Sequence, residues 1–109
     1  MEKASEIRIV FITTGSFESA RQISKILVTE KLAACCSIFQ NVISVFGWHS
    51  AIQERTESMI MIKTTKQCLN DLELRVKELH SDEVPEIIAV GLESASETYT
   101  LWVKQSVGD

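Results

Sequence analysis

An α+β fold with the order β-α-β-β-α-β and a terminal helix is predicted by three features of this sequence. Ile7-Arg8-Ile9-Val10-Phe11-Ile12 is a nearly continuous β-branched run, the pattern of a strand covered on both faces. Leu69, Leu72, Val76 and Leu79 step by three, four and three, which puts all four on one side of an α-helix. Between them lie two extended stretches, 33–46 and 52–65, parted by Gly47 and the polar pair His49-Ser50. They read as a hairpin.

The elements follow in order. The first strand is broken by Thr13-Thr14-Gly15-Ser16. Ser16 is a good N-cap, because its hydroxyl can accept from a free N–H of the first turn, and Glu18 there suits the helix dipole. Ala20, Ile23, Ile26 and Leu27 then recur at helical spacing up to Lys31, giving an amphipathic first helix. Residues 33–46 form the second strand, and 52–65, centred on Met59-Ile60-Met61-Ile62, the third. The second helix ends near His80-Ser81-Asp82. Val84-Pro85-Glu86-Ile87-Ile88-Ala89-Val90 is the fourth strand, its proline near the start, where a missing N–H is tolerated. Tyr99, Trp102 and Val103 belong to a short last helix. This order is that of a ferredoxin-like βαββαβ sandwich, two βαβ units sharing one sheet. Right-handed crossovers place both long helices on one face. The hairpin is too long for such a domain. Fourteen residues of second strand reach roughly 45 Å at about 3.3 Å each, against the usual 5–6 residues. It must bend or overhang, and exposed apolar edges invite pairing with another copy.

Composition bounds the function. At 109 residues, 45% hydrophobic and 24% charged, residues 1–109 make one domain with a single real core. A net charge of −4 argues against sequence-independent binding of nucleic acid, which needs a basic face. No run approaches the roughly 18 apolar residues of a membrane span. The segment Met1-Glu2-Lys3-Ala4-Ser5-Glu6 is too acidic and polar for a signal peptide, so the expected compartment is the cytoplasm. Three cysteines, two of them adjacent, form no disulfide framework and no C-x-x-C motif. Cys35 and Cys36 are neighbours in a strand, point to opposite faces and do not readily chelate one ion. They read as buried, inert thiols.

Catalysis finds little footing. Thr13-Thr14-Gly15-Ser16 lacks both G-x-G-x-x-G and the Walker pattern. Neither histidine lies beside an obvious nucleophile. Arg21 lies a helical turn too far in for an acylphosphatase-type phosphate site, and the aromatic-basic strand motif of RNA recognition is missing.

Further residues, taken in order, carry a resemblance. They are Glu30-Lys31-Leu32-Ala33-Ala34-Cys35, Ser44-Val45-Phe46 with Trp48, Ile62-Lys63-Thr64-Thr65, His80 with Glu83-Val84-Pro85-Glu86-Ile87, and Tyr99 with Trp102. Together they resemble the CutA divalent-cation tolerance family over nearly the whole chain. The resemblance implies a ferredoxin-like subunit, a homotrimer built by the long hairpins, and a link to copper and other divalent metals, with no enzymatic activity attached. The chain departs from the family pattern at Ser81-Asp82, where Pro-Tyr is usual, and at His49-Ser50-Ala51 after Trp48. Ile12 stands where some members carry a first-strand cysteine.

One constellation has ligand chemistry: His80, Asp82, Glu83 and Glu86. Imidazole with carboxylates suits a borderline ion such as Cu²⁺ or Zn²⁺. A turn between helix and strand would bring His80 and Glu86 together, with Asp82 or Glu83 adding an oxygen. Against this, His80 is also placed to cap the helix, with the acids in solvent. Lys63 either holds an anion or carboxylate near the same cleft, ends its strand in solvent, or pairs with Glu57 or Glu86. Trp48 and Trp102 read as packing anchors rather than a stacking box. Met59 and Met61 share a sheet face, which suits core packing better than a copper–thioether site. Two functions therefore compete: a trimeric protein that binds divalent ions weakly, or a PII-like trimeric signalling or scaffold module with a small metabolite between subunits.

Overall fold

The computed structural model describes residues 1–4 and 6–108, leaving Ser5 of the polar N-terminal segment and Asp109 outside. Its strands are β1 (Glu2–Lys3), β2 (Ile7–Thr14), β3 (Cys35–Trp48), β4 (Ala51–Thr65), β5 (Ile87–Gly91) and β6 (Ser94–Ala95). Its helices are α1 (Phe17–Thr29), α2 (Leu69–Leu79) and α3 (Glu97–Ser106), with a 3₁₀ turn at Lys66–Cys68 leading into α2. The main sheet is antiparallel in the order β3-β4-β2-β5. This is the ferredoxin-like α+β plan that the periodicities predict. The pairing of β1 with β6, Glu2 opposite Ala95, has no counterpart in the sequence reading.

Alternation along the strands divides the core in two. Val10, Ile12, Ile60 and Ile62 point toward α1 and α2 and are buried with Ala20, Ile23, Leu27, Leu72 and Val76. Each fully buried aliphatic side chain of this kind contributes about 1.5–3 kcal/mol. Ile7, an odd number of residues from Val10, points to the opposite face, where it packs with Ala4, Ala34 and Val103 of α3. Beyond α3 that face is open. Met59 and Met61 are half-buried on it, while Phe39, Ile88 and Val90 are exposed. Expected inside, the two methionines thus lie outside the core of a single chain, because α1 and α2 cover the other side of the sheet and α3 covers only part of this one. Trp48 and Trp102 are exposed as well and anchor no core within the chain.

Helix boundaries follow local chemistry. Ser16 has extended backbone and its Oγ accepts from the Ser19 N–H at 3.0 Å, as predicted. α1 stops at Thr29 because Lys31 takes a left-handed φ of 61°. The Lys31 N–H then bonds the Val28 carbonyl and the Leu32 N–H that of Leu27, at 3.1 and 2.9 Å. This is the Schellman closure, with lysine where glycine is usual.

The hairpin both bends and overhangs. Between Phe39 opposite Met59 and Val42 opposite Glu57, β3 carries one more residue than β4, and Asn41 there has φ 60°. Such a bulge bends the strand and increases its twist. Pairing then continues to Trp48 opposite Ala51. Gly47, expected in the turn, lies within the strand. The turn is His49-Ser50 alone, with φ of 50° and 66°, as a two-residue hairpin of primed type requires. The molecule measures 45 × 26 × 22 Å. One further boundary moves. β5 begins at Ile87 rather than Val84, so Pro85 and Glu86 belong to the loop after α2. Proline has no N–H to give to the ladder.

Candidate functional site

The 81–86 loop faces the overhanging half of the hairpin across a cleft of about 820 Å³. On the hairpin side it is lined by Ser44, Val45, Phe46 and Trp48 of β3 and by Gln53, Arg55 and Glu57 of β4. Asp82, Glu83 and Glu86 line the facing side, and Thr13 lines the cleft at the end of β2. Three of the four residues singled out as ligands thus share one concave surface.

The fourth, His80, sits behind it. Its backbone is the C-cap of α2, donating to the Val76 carbonyl at 2.8 Å. Its ring makes two bonds. Nδ1 accepts the Asp82 backbone N–H at 2.9 Å, and Nε2 lies 2.6 Å from the Thr13 carbonyl oxygen. A carbonyl only accepts, so Nε2 carries the proton and Nδ1 the lone pair. The imidazole therefore ties the end of α2 to the end of β2 and shapes the turn that presents Asp82. Both ring nitrogens are occupied in this arrangement.

Asp82 is held by Arg55. The guanidinium approaches its carboxylate at 3.3 and 3.4 Å and reaches Glu57 at 3.2 Å. It also packs near Gly15, where an added Cβ would stand 3.7 Å from Nη2. Arg55 and Glu57 are two apart on β4 and so share a face, a signal that alternation alone offers. Their junction with Asp82 is a tertiary event. Glu83 and Glu86 are exposed. Among the described residues, no group of three or more His, Cys, Asp or Glu side chains is placed to hold a metal ion. Of the four ligand candidates, the His80 imidazole is committed, Asp82 is ion-paired, and Glu83 and Glu86 are in solvent.

Other sequence candidates lie elsewhere. Lys63 is not at the cleft. Its Nζ contacts Ser37 Oγ and lies 3.8 Å from Cys35 Sγ, across the β3–β4 ladder on the open face of the sheet. Glu57 is paired with Arg55 rather than with Lys63. Cys35 and Cys36 do face opposite sides, but both are half-buried rather than buried. Cys36 packs against the helix-covered core. Burial pushes its thiol up from 9.0 to about 11, a rise partly offset by the neighbouring Ser24 hydroxyl. That thiol is inert at neutral pH, since the thiolate is the nucleophile and ligand.

Comparison with known proteins settles the lineage. The sequence model of the CutA1 divalent ion tolerance proteins matches residues 8–106. The chain belongs to that family. It is 38% identical over 100 residues to the divalent-cation tolerance protein CutA of Thermus thermophilus, covering 92% of this chain and 97% of that one. It is 34% identical to a chloroplastic CutA protein of Arabidopsis thaliana, covering 90% of this chain but only 54% of the plant protein's length. Among solved structures, the periplasmic divalent cation tolerance protein CutA of Archaeoglobus fulgidus superposes with a TM-score of 0.90 at 33% identity, over 93% of this chain and 98% of that one. The bacterial and archaeal names, like that of the family, speak of tolerance to divalent cations, not of a reaction, and none of the names lends support to the PII-like reading. Two of them place relatives in the chloroplast and the periplasm. Among the described residues, no helix is long and apolar enough to cross a membrane.

Proposed function

We propose that this family member acts as a non-enzymatic, single-domain homotrimer of the cytoplasm that responds to divalent metal ions, binding copper or a similar ion weakly in the cleft between the 81–86 loop and the hairpin. The observation that carries the reading is the convergence of Asp82, Glu83 and Glu86 on one concave surface opposite Glu57. Carboxylates attract divalent ions, and His80 lies immediately behind them. We read the ion as cargo, with none required for folding. His80 joins the ligand set only by releasing the Asp82 N–H, a requirement that fits weak binding. Self-association is supported by the overhanging hairpin and the uncovered sheet face.

Calorimetric titration with Cu²⁺, alongside light scattering, tests both parts. The parent should bind copper and scatter at about three times 12.2 kDa. Asp82→Asn with Glu86→Gln, and separately His80→Ala, should each lower copper affinity at least tenfold without changing the mass. Undiminished binding in His80→Ala removes the imidazole from the site. Undiminished binding in both variants removes the cleft, and a monomer mass removes the trimer.

A further inference from the structure

Among the described residues lining the cleft, Arg55 is the one basic side chain, and it faces four carboxylates. A single guanidinium nitrogen, Nη2, bridges two of them, 3.2 Å from Glu57 Oε2 and 3.3 Å from Asp82 Oδ2. The three partners differ in freedom. The Glu57 side chain is only 6% exposed, Asp82 27% and Arg55 36%. A carboxylate as buried as Glu57 needs a cation beside it, and here the chain itself supplies one. The contacts are longer than the 2.7–2.9 Å of strong charge-assisted bonds, and Arg55 is the partner with a path to water. Packing encloses Glu57 and leaves Arg55 the more exposed of the two. One guanidinium offsets half of the charge of the Glu57–Asp82 pair, whereas one divalent ion in its place would balance both carboxylates.

Building on the reading of this cleft as a divalent-ion site, we propose that Arg55 is a built-in counter-ion that competes with divalent cations for the Glu57–Asp82 pair. Glu57 is then the buried oxygen ligand of the cleft, and Arg55 the residue that sets its affinity. Binding exchanges one cation for another: the guanidinium swings to solvent as the ion meets the two carboxylates, with water completing its shell. The weakness of the parent site follows from that competition.

Titration of the full chain with Zn²⁺ alone, and thermal melts with and without it, test the exchange. Arg55→Gln should bind Zn²⁺ at least tenfold more tightly than the parent. It should melt lower than the parent without Zn²⁺ and recover with it, because the metal replaces the lost counter-ion. Adding Glu57→Gln to Arg55→Gln should abolish the gain, and Arg55→Lys, which keeps a cation, should stay within about threefold of the parent. Should Arg55→Gln not fold, Glu57→Gln alone carries the test by weakening Zn²⁺ binding at least tenfold. If Arg55→Gln folds and binds no more tightly than a parent that itself binds, the inference fails and the cleft reading stands. If Arg55→Gln binds and the parent does not, the inference stands and the parent's cleft loses its assigned role. A double variant that keeps the gain excludes Glu57 as ligand.

Discussion

Cys35 and Cys36 show how much one step along a strand decides. Cys35 shares the open face with Lys63 and Ser37, whereas Cys36 packs into the helix-covered core, its thiol raised to about 11 by burial. The raised value has a direction in stability. In the unfolded chain the thiol ionises near 9.0, so above that pH the unfolded state holds fewer protons than the folded one. Stability conferred by the neutral thiol is therefore complete below pH 9 and is lost as pH climbs toward 11, by about 2–3 kcal/mol at most. Urea denaturation at pH 8 and pH 10.5 should show a larger loss for the parent than for Cys36→Val. Equal losses would mean that Cys36 ionises alike in both states. His80 belongs to the same scale: the sequence admits it as ligand or cap, and only its bonds to Thr13 and Asp82 show that the ring holds two elements together.

Elements end where single residues take unusual backbone. α1 is closed by Lys31 in the left-handed region, and the hairpin by His49-Ser50, both with positive φ. A non-glycine residue in that region costs roughly 1–2 kcal/mol, partly offset when glycine is substituted by glycine's greater freedom in the unfolded chain, about 0.5–1 kcal/mol. Lys31→Gly should therefore raise stability by about 0.5–1 kcal/mol, read as a higher urea midpoint at unchanged slope. A lowered midpoint would show that the lysine side chain stabilises the helix end by more than its backbone costs. The bulge at Asn41 is the other device at this scale. It bends β3 so that Ser44, Phe46 and Trp48 line the cleft.

Across the whole molecule, the sheet is fully covered on one side and only partly, by α3, on the other. α1 and α2 close the core of Ile12, Ile60 and Ile62, while Phe39, Ile88 and Val90 stay open on the other face and Ile43, Val45 and Ile52 stay open on the overhanging hairpin. Apolar area of this extent is characteristic of an interaction surface, and permanent oligomers commonly bury more than about 2,000 Å². If subunits cover one another there, unfolding and dissociation are linked by mass action. Reversible melts over a hundredfold dilution should then show a midpoint that rises with concentration. A constant midpoint would mean that the subunit folds by itself and the trimer adds nothing to its stability.

Local pattern was sufficient for the fold because the sheet and both long helices are written in short-range periodicity: the β-branched run of β2, the three-four-three stepping of α2, the Ser16 cap. The strand limit at Ile87 and the β1–β6 pair depended on partners far along the chain and were set by pairing, whereas the limit at Trp48 was set by the tight turn that pairs it with Ala51. The site divides in the same way. His80, Asp82, Glu83 and Glu86 stand within seven residues, so their chemistry is visible as a cluster. Arg55 and Glu57 come from a strand that the bulged hairpin bends toward that loop, 27 residues from Arg55 to Asp82. Residue type and spacing name the groups available for electrostatic chemistry. Which charges meet, and how dry the meeting place is, is decided by packing, because Coulomb attraction and its screening depend on distance and burial rather than on position in the chain.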